Sequence, residues 1–141
     1  MSLATFVKRH TGLKVGSGQC VALARKWIAE LEKSDDGFDS IPSVASAIDF
    51  WDAAPKKKWL HVRPTSKGSS GMRADLPAKG ALVIFEPTSG NVHGHVGIAL
   101  GVEGATGDTF RTFDQNFSVA LRSNKETHRM TGVKGWLIYQ P

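Results

Sequence analysis

Three groups of polar residues, far apart in the chain, carry the side chains that a nucleophilic hydrolase needs. The first is Cys20, the only cysteine among 141 residues, which follows Gln19. The second is His95, and the third is the pair Asp114 and Asn116. A thiol attacks as the thiolate, so it needs a base beside it, and the base needs a third group to fix its tautomer. Together these groups predict acyl transfer through a cysteine.

Cys20 is predicted to lie at the start of an amphipathic helix that runs from Gln19 to about Lys33, after a tight turn at Gly16–Gly18. One side of this helix carries the apolar residues Cys20, Leu23, Ala24, Trp27, Ile28 and Leu31. Free N–H groups and the helix dipole favour negative charge at the first turn. The Gln19 amide and the Cys20 N–H could bind an oxyanion. A lone cysteine on an apolar helix face is nevertheless more often a core residue.

His95 begins a predicted strand that ends at Gly101. Alternation places His95 on one face with the small residues Gly97 and Ala99, which leaves room for another element or a substrate. The opposite face carries the core residues Val96, Ile98 and Leu100. His95 is therefore a candidate general base, although a strand histidine with an ordinary hydrogen bond fits equally well. His93 lies in the preceding loop and ranks second.

A further strand, Thr109–Phe113, leads into the third group. Asp114 and Asn116 fall on the same face of an extended chain, so either could reach the His95 imidazole from the neighbouring strand. A carboxylate or an amide would serve in that role. Asp and Asn are also common at strand ends for reasons unrelated to catalysis. The residues themselves leave the choice between Asp114 and Asn116 open.

The remaining elements predict an α+β fold, with helices followed by an antiparallel sheet. A second helix is expected from Val44 to Ala54, with Ser43 as its N-cap and Pro55 as its end. Trp51 lies on the apolar side of this helix, where it either packs in the core or turns to the groove and stacks on a substrate. The other predicted strands are Ala81–Phe85 and Gly135–Tyr139. Residues 65–73 read as a mobile surface loop, 101–108 as turns, and 117–134 as strand or loop.

These blocks, in this order, resemble the CHAP domain, the cysteine- and histidine-dependent amidohydrolases/peptidases of papain-like fold. The resemblance rests on Gly18–Val21, on Pro77 with Gly80–Phe85, on Gly94–Ile98 and on Phe113–Phe117. It spans nearly the whole chain, so a single catalytic domain over residues 1–141 is expected.

The resemblance implies a peptidoglycan hydrolase of the phage-lysin or autolysin type, with Cys20 as the nucleophile and His95 as the base. It does not decide between an amidase and an endopeptidase. Some members bind calcium through aspartates before the cysteine, but residues 6–19 contain no acidic residue. No metal or other cofactor is therefore expected.

The net charge of +5 and the pI of about 9.6 favour anionic partners. Bacterial peptidoglycan and anionic wall polymers fit that charge, and no nucleic-acid-binding motif is present. No apolar run is long enough to span a bilayer and no secretory signal is evident. We therefore expect a monomer that is made in the cytoplasm and acts on the cell wall after release, or that is carried on a virion.

Two other functions fit parts of the sequence. His93 and His95 could bind zinc together with His61 or His128 and an acid, as in a zinc amidase or peptidase. Alternatively, the chain could be a basic module that binds the wall without catalysis, with Cys20 in its core.

Overall fold

The structure is a computed structural model that describes residues 1–64, 76–101 and 109–141. Its helices are α1 (Leu3–His10), α2 (Cys20–Glu32) and α3 (Phe50–Ala53), the last preceded by a 3-10 turn at Ala47–Asp49. Its strands are β1 (Trp59–Val62), β2 (Leu82–Phe85), β3 (His95–Ala99), β4 (Thr109–Gln115), β5 (Ser123–Arg129) and β6 (Val133–Tyr139). The loop predicted at 65–73 and the turns predicted within 102–108 lie outside the described residues.

The strands form one antiparallel sheet in the order β1-β6-β2-β3-β4-β5. Helices α1 and α2 pack on one face of it, and the main core fills the space between. The predicted α+β class is confirmed. In the described part of the chain, no helix has the length and apolar character that a membrane span requires.

Helix α2 and strand β3 follow the prediction closely. The helix starts at Cys20, and its C-cap Lys33 adopts the left-handed conformation. Gly16 and Gly18 have φ values of +56° and +85°, which explains glycine in the entry turn. The branched face of β3 packs into the same core as α2 through Val96 and Ile98, and Leu100, directly after the strand, joins them. This packing places the start of the helix beside the start of the strand.

The second predicted helix is shorter than expected. Residues 44–46 are not helical, and the helical cap is Ser46, not Ser43, because the Ser46 N–H donates to the Asp49 carboxylate in a capping box. Trp51 is only 6% exposed, and its ring packs edge-on against His61 at 4.8 Å. Of the two positions that the sequence left open for Trp51, the structure shows the one in the core, and the candidate substrate contact is not formed.

Two elements were not predicted, α1 and β1, and a third, β5, lies in residues 117–134, which the sequence left open as strand or loop. Helix α1 buries Leu3, Phe6 and Val7 and is capped by Ser2, whose hydroxyl accepts from the Thr5 N–H. Strand β5 has the sequence SNKETHR, so it offers no apolar alternation for sequence reasoning to detect. Strand β4 is two residues longer than predicted and includes Asp114 and Gln115.

Gly135→Ala tests how closely β6 packs against β1 and Trp51. A Cβ at this position would clash with the Val62 carbonyl oxygen and lie 2.5 Å from the Trp51 ring, contacts that must be relieved by strain. We expect the free energy of unfolding, measured by urea denaturation, to fall by about 1–3 kcal/mol. Gly90→Ala is the matched control, since the nearest atom to its new Cβ is 4.0 Å away, and it should change stability by less than about 0.5 kcal/mol. Equal stabilities of the two variants would contradict this packing.

Candidate active site

Cys20 is half-buried at the first turn of α2 and lines a cleft of about 810 Å³. Gln19, His93, His95 and Asn116 line the same cleft. Gln19 is the N-cap of α2 and makes no side-chain cap hydrogen bond. The thiol therefore lies at the positive end of a 13-residue helix, where a negative charge is stabilised.

A buried carboxylate connects two histidines at one end of this cleft. Asp114 Oδ2 lies 2.7 Å from His95 Nε2 and also 2.7 Å from His128 Nε2. Asp114 is fully buried, and each histidine is less than one-tenth exposed. Since an ionised carboxylate only accepts hydrogen bonds, both Nε2 atoms carry their protons. Nδ1 is then the nitrogen of His95 that remains for the Cys20 side chain, whose interaction with the imidazole raises the pKa of His95.

The absence of a side chain at Gly97 makes room for this carboxylate. Strands β3 and β4 pair so that Ile98 lies opposite Phe113, and one step along this register brings Gly97 to Asp114. A Cβ on Gly97 would clash with Asp114 Oδ1. The small-residue face of β3 thus receives a side chain from the next strand. Of the two alternatives for this face, another element or a substrate, the structure shows the first.

Burial and the neighbouring charges shift the pKa values of His95 and Asp114 in opposite directions. Burial lowers the pKa of His95, but the hydrogen bonds to Asp114 and Cys20, together with the charges of both, raise it to about 9. Burial raises the pKa of Asp114, yet the hydrogen bonds from His128 and His95 and their positive charge hold it below its usual value. The electrostatics therefore favour an imidazolium at position 95 paired with a carboxylate at 114.

The described hydrogen bonds of the Asn116 side chain go to residues other than His95. Asn116 has a left-handed backbone with φ of +59°, donates from Nδ2 to Gln19 Oε1 at 3.0 Å, and accepts the Leu121 N–H at 2.9 Å. Asp114 is thus the partner of His95, and Asn116 fixes the Gln19 amide. With Oε1 of Gln19 occupied by Asn116, the Gln19 NH₂ group is the end available for a ligand in the cleft.

Gln115, which sequence reasoning missed, ties the end of β4 to the segment before Cys20. Its Oε1 accepts from the Val15 N–H at 2.7 Å and from the Ser123 hydroxyl at 2.9 Å. Its Nε2 donates to the Val15 carbonyl at 2.9 Å and to the Gln19 carbonyl at 2.8 Å. Strand alternation could have identified it, because Gln115 faces away from Asp114, towards the helices, where a buried amide needs partners.

His95, Asp114 and His128 are also the one described group with the spacing of metal ligands, since their ligand atoms lie within 4.8 Å of one another. The two distances of 2.7 Å are those of charge-assisted hydrogen bonds, whereas ligand atoms on a tetrahedral zinc ion are roughly 3.4 Å apart. As arranged, the three side chains bind one another. The expectation of a site without metal stays a prediction.

The zinc set proposed from the sequence is not assembled. His93 bonds to the Ser46 hydroxyl in the loop before β3. His61 lies under Trp51 and bonds to the carbonyls of Trp51 and Trp59. Of these histidines, only His128 joins His95, through their shared partner Asp114. The sequence did not indicate that His128 would lie there, because β5 has no recognisable strand pattern.

Comparisons with known proteins agree with this architecture. The model of the CHAP domain family matches residues 10–116. The solved structure of Ly7917 has a TM-score of 0.69 at 20% identity and covers 95% of this chain, and that of Ly7917 "with the hydrolyzing product of MDP" has a TM-score of 0.67 at 18% identity and 95% coverage. The wild-type endolysin LysIME-EF1 has a TM-score of 0.70 at 21% identity and 96% coverage.

At these identities the structural likeness establishes the α+β papain-like fold and nothing finer. The chain spans 60% of the Ly7917 chain and 61% of the LysIME-EF1 chain. A comparison with curated protein sequences found no match.

The raised pKa of His95 predicts a pH dependence of stability. A histidine whose folded pKa exceeds its unfolded value stabilises the fold fully below about pH 6.5, and this contribution is lost as the pH rises through about 9. We expect the free energy of unfolding, from urea denaturation, to fall over that range in the wild type and to fall less in His95→Gln. The same pH slope in both proteins would contradict the ion pair.

Proposed function

This chain belongs to the CHAP domain family, and we propose that it is a peptidoglycan hydrolase that cleaves an amide bond of the wall peptide by cysteine-nucleophile acyl transfer. One observation carries the proposal: Cys20, at the positive end of α2, lines the same cleft as His95 and interacts with its imidazole, whose Nε2 lies 2.7 Å from a buried carboxylate. A nucleophile, a base and an orienting acid are thereby held in one line. Membership of the family supports the wall peptide as substrate.

In the acylation step, the proton of the Cys20 thiol already resides on the His95 imidazolium, and the thiolate Sγ attacks the amide carbonyl carbon. The carbonyl π electrons move to oxygen, and the Gln19 NH₂ group and the Cys20 N–H stabilise the oxyanion. When the oxyanion collapses, the C–N bond breaks and the amine leaves with the proton from His95. Asp114 keeps the imidazolium oriented throughout, and a thioester remains on Cys20.

In the deacylation step, water attacks the thioester carbon while His95 Nδ1 takes a proton from it. The C–S bond breaks, and the sulfur leaves as the thiolate beside the His95 imidazolium. The net reaction consumes one water and yields one carboxylate and one amine. No metal or other cofactor takes part in this scheme.

The lysin assignment goes beyond the chemistry of the site. We expect a phage endolysin or a virion-associated lysin that acts at the bacterial wall as a monomer. Its net charge of +5 favours the anionic wall polymers around its substrate.

Both an amidase and an endopeptidase would use the same side chains. Mass spectrometry of the fragments released from purified peptidoglycan identifies the bond, because each new N-terminus marks a cleavage.

Cys20→Ser tests the nucleophile. A hydroxyl is far less acidic than a thiol and little smaller, so we expect clearing of purified peptidoglycan to fall by roughly 1,000-fold or more while the thermal unfolding midpoint stays close to that of the wild type. A variant that clears walls as well as the wild type would show that Cys20 is not the nucleophile. If neither protein clears walls and both co-sediment with them, the chain is a binding module.

Two inhibitors distinguish a thiol mechanism from a metal-dependent one. Iodoacetamide should alkylate Cys20, the single cysteine of the chain, and abolish wall clearing, whereas EDTA should leave it unchanged. Peptide mass mapping of the treated protein checks that the label is on Cys20. Activity that survives iodoacetamide but is lost in EDTA, and is restored by added zinc, would contradict the thiol mechanism.

A further inference from the structure

The second histidine on Asp114 has no place in the three-residue mechanism, yet it is bound as closely as the first. His128 Nε2 lies 2.7 Å from Asp114 Oδ2, the same oxygen and the same distance as for His95. His128 is 9% exposed, although it comes from β5, an edge strand that otherwise carries mostly solvated side chains. A buried imidazole directed at the acid of the site calls for a functional explanation.

We infer that His128 is a positioning residue of the proposed hydrolase, which fixes the Asp114 carboxylate so that His95 stays aligned with Cys20. This inference rests on the proposed function. His128 does not touch the thiol in this scheme, and it acts through Asp114.

The hydrogen bonds of Asp114 explain why a second donor is needed. Asp114 Oδ1 is buried with no hydrogen-bond partner among the described residues, and it lies against Gly97. With His95 alone, the carboxylate would be held by one bond at one oxygen and could rotate about its Cβ–Cγ bond. A second N–H on Oδ2, arriving from another strand, fixes that rotation and compensates the buried negative charge.

The rings around His128 fix its own orientation. Its imidazole lies 4.5 Å from the Phe85 ring, 4.7 Å from Phe117 and 5.9 Å from Phe110, measured between centroids. His95 contacts two of the same rings, Phe85 at 5.5 Å and Phe117 at 5.1 Å. The aromatic cluster thus holds both imidazoles, and Asp114 receives the Nε2–H of each.

Two substitutions separate the hydrogen bond from the packing. His128→Phe keeps a ring of similar size among the phenylalanines but removes the donor, and His128→Gln removes the ring but keeps an N–H that can reach Asp114. We expect His128→Phe to lower kcat by about 10- to 100-fold, the range for loss of a hydrogen bond to a charged group, with KM nearly unchanged. His128→Gln should retain most of the wild-type kcat.

The rate of Cys20 alkylation by iodoacetamide provides a second readout that needs no wall substrate. It should follow kcat, slow in His128→Phe and close to the wild type in His128→Gln, because thiol reactivity depends on an aligned His95. Full reactivity and full kcat in folded His128→Phe would overturn the inference, and so would equal losses in both variants, which would indicate a packing role. A wild type that fails to clear walls refutes the proposed function, whereas the alkylation rates still test His128.

Discussion

The site depends on one buried negative charge, the carboxylate of Asp114, and on the two imidazole N–H groups that it accepts. A carboxylate with no exposure to solvent is costly to ionise unless it is hydrogen-bonded or paired. His95 and His128 supply that compensation from strands on either side of β4. The carboxylate in turn raises the pKa of His95 and keeps a proton on its Nε2, so that Nδ1 is the nitrogen available to the Cys20 side chain. The same interaction that makes the burial of Asp114 tolerable therefore orients the proposed base.

The rest of the fold brings the proposed nucleophile, Cys20, to this charge pair. The packing of α2 on β3 places the two chain segments side by side, and Gln115 sets their relative position with four hydrogen bonds between the end of β4, the Val15–Gln19 segment and Ser123. Asp114 and Gln115 are adjacent on β4 and point to opposite faces, one to His95 and one to the segment before Cys20. A single strand end thus positions both partners of the proposed reaction, and Asn116 fixes the Gln19 amide by donating to its Oε1.

Local patterns in the sequence predict much of this arrangement. The apolar spacing of α2 and the alternation of β3 give the positions of Cys20 and His95, and the order of the motifs gives the family. Patterns fail where a position is decided by a distant partner. Asp114 and Asn116 look equivalent along the chain, and only the register with Gly97 assigns the first to His95. His128 lies in a strand without apolar residues, so no pattern indicates that its side chain is buried. The helical pattern around Trp51 fits either the groove or the core, and only the packing against the sheet decides between them.

The most direct test of the central claim is NMR detection of the imidazole protons in uniformly ¹⁵N-labelled protein near neutral pH. If one carboxylate oxygen accepts from both histidines, His95 and His128 each show a slowly exchanging proton on Nε2, and both signals are lost in Asp114→Ala. A His95 or His128 that is protonated only on Nδ1, or an Nε2–H signal that persists in Asp114→Ala, would contradict the account.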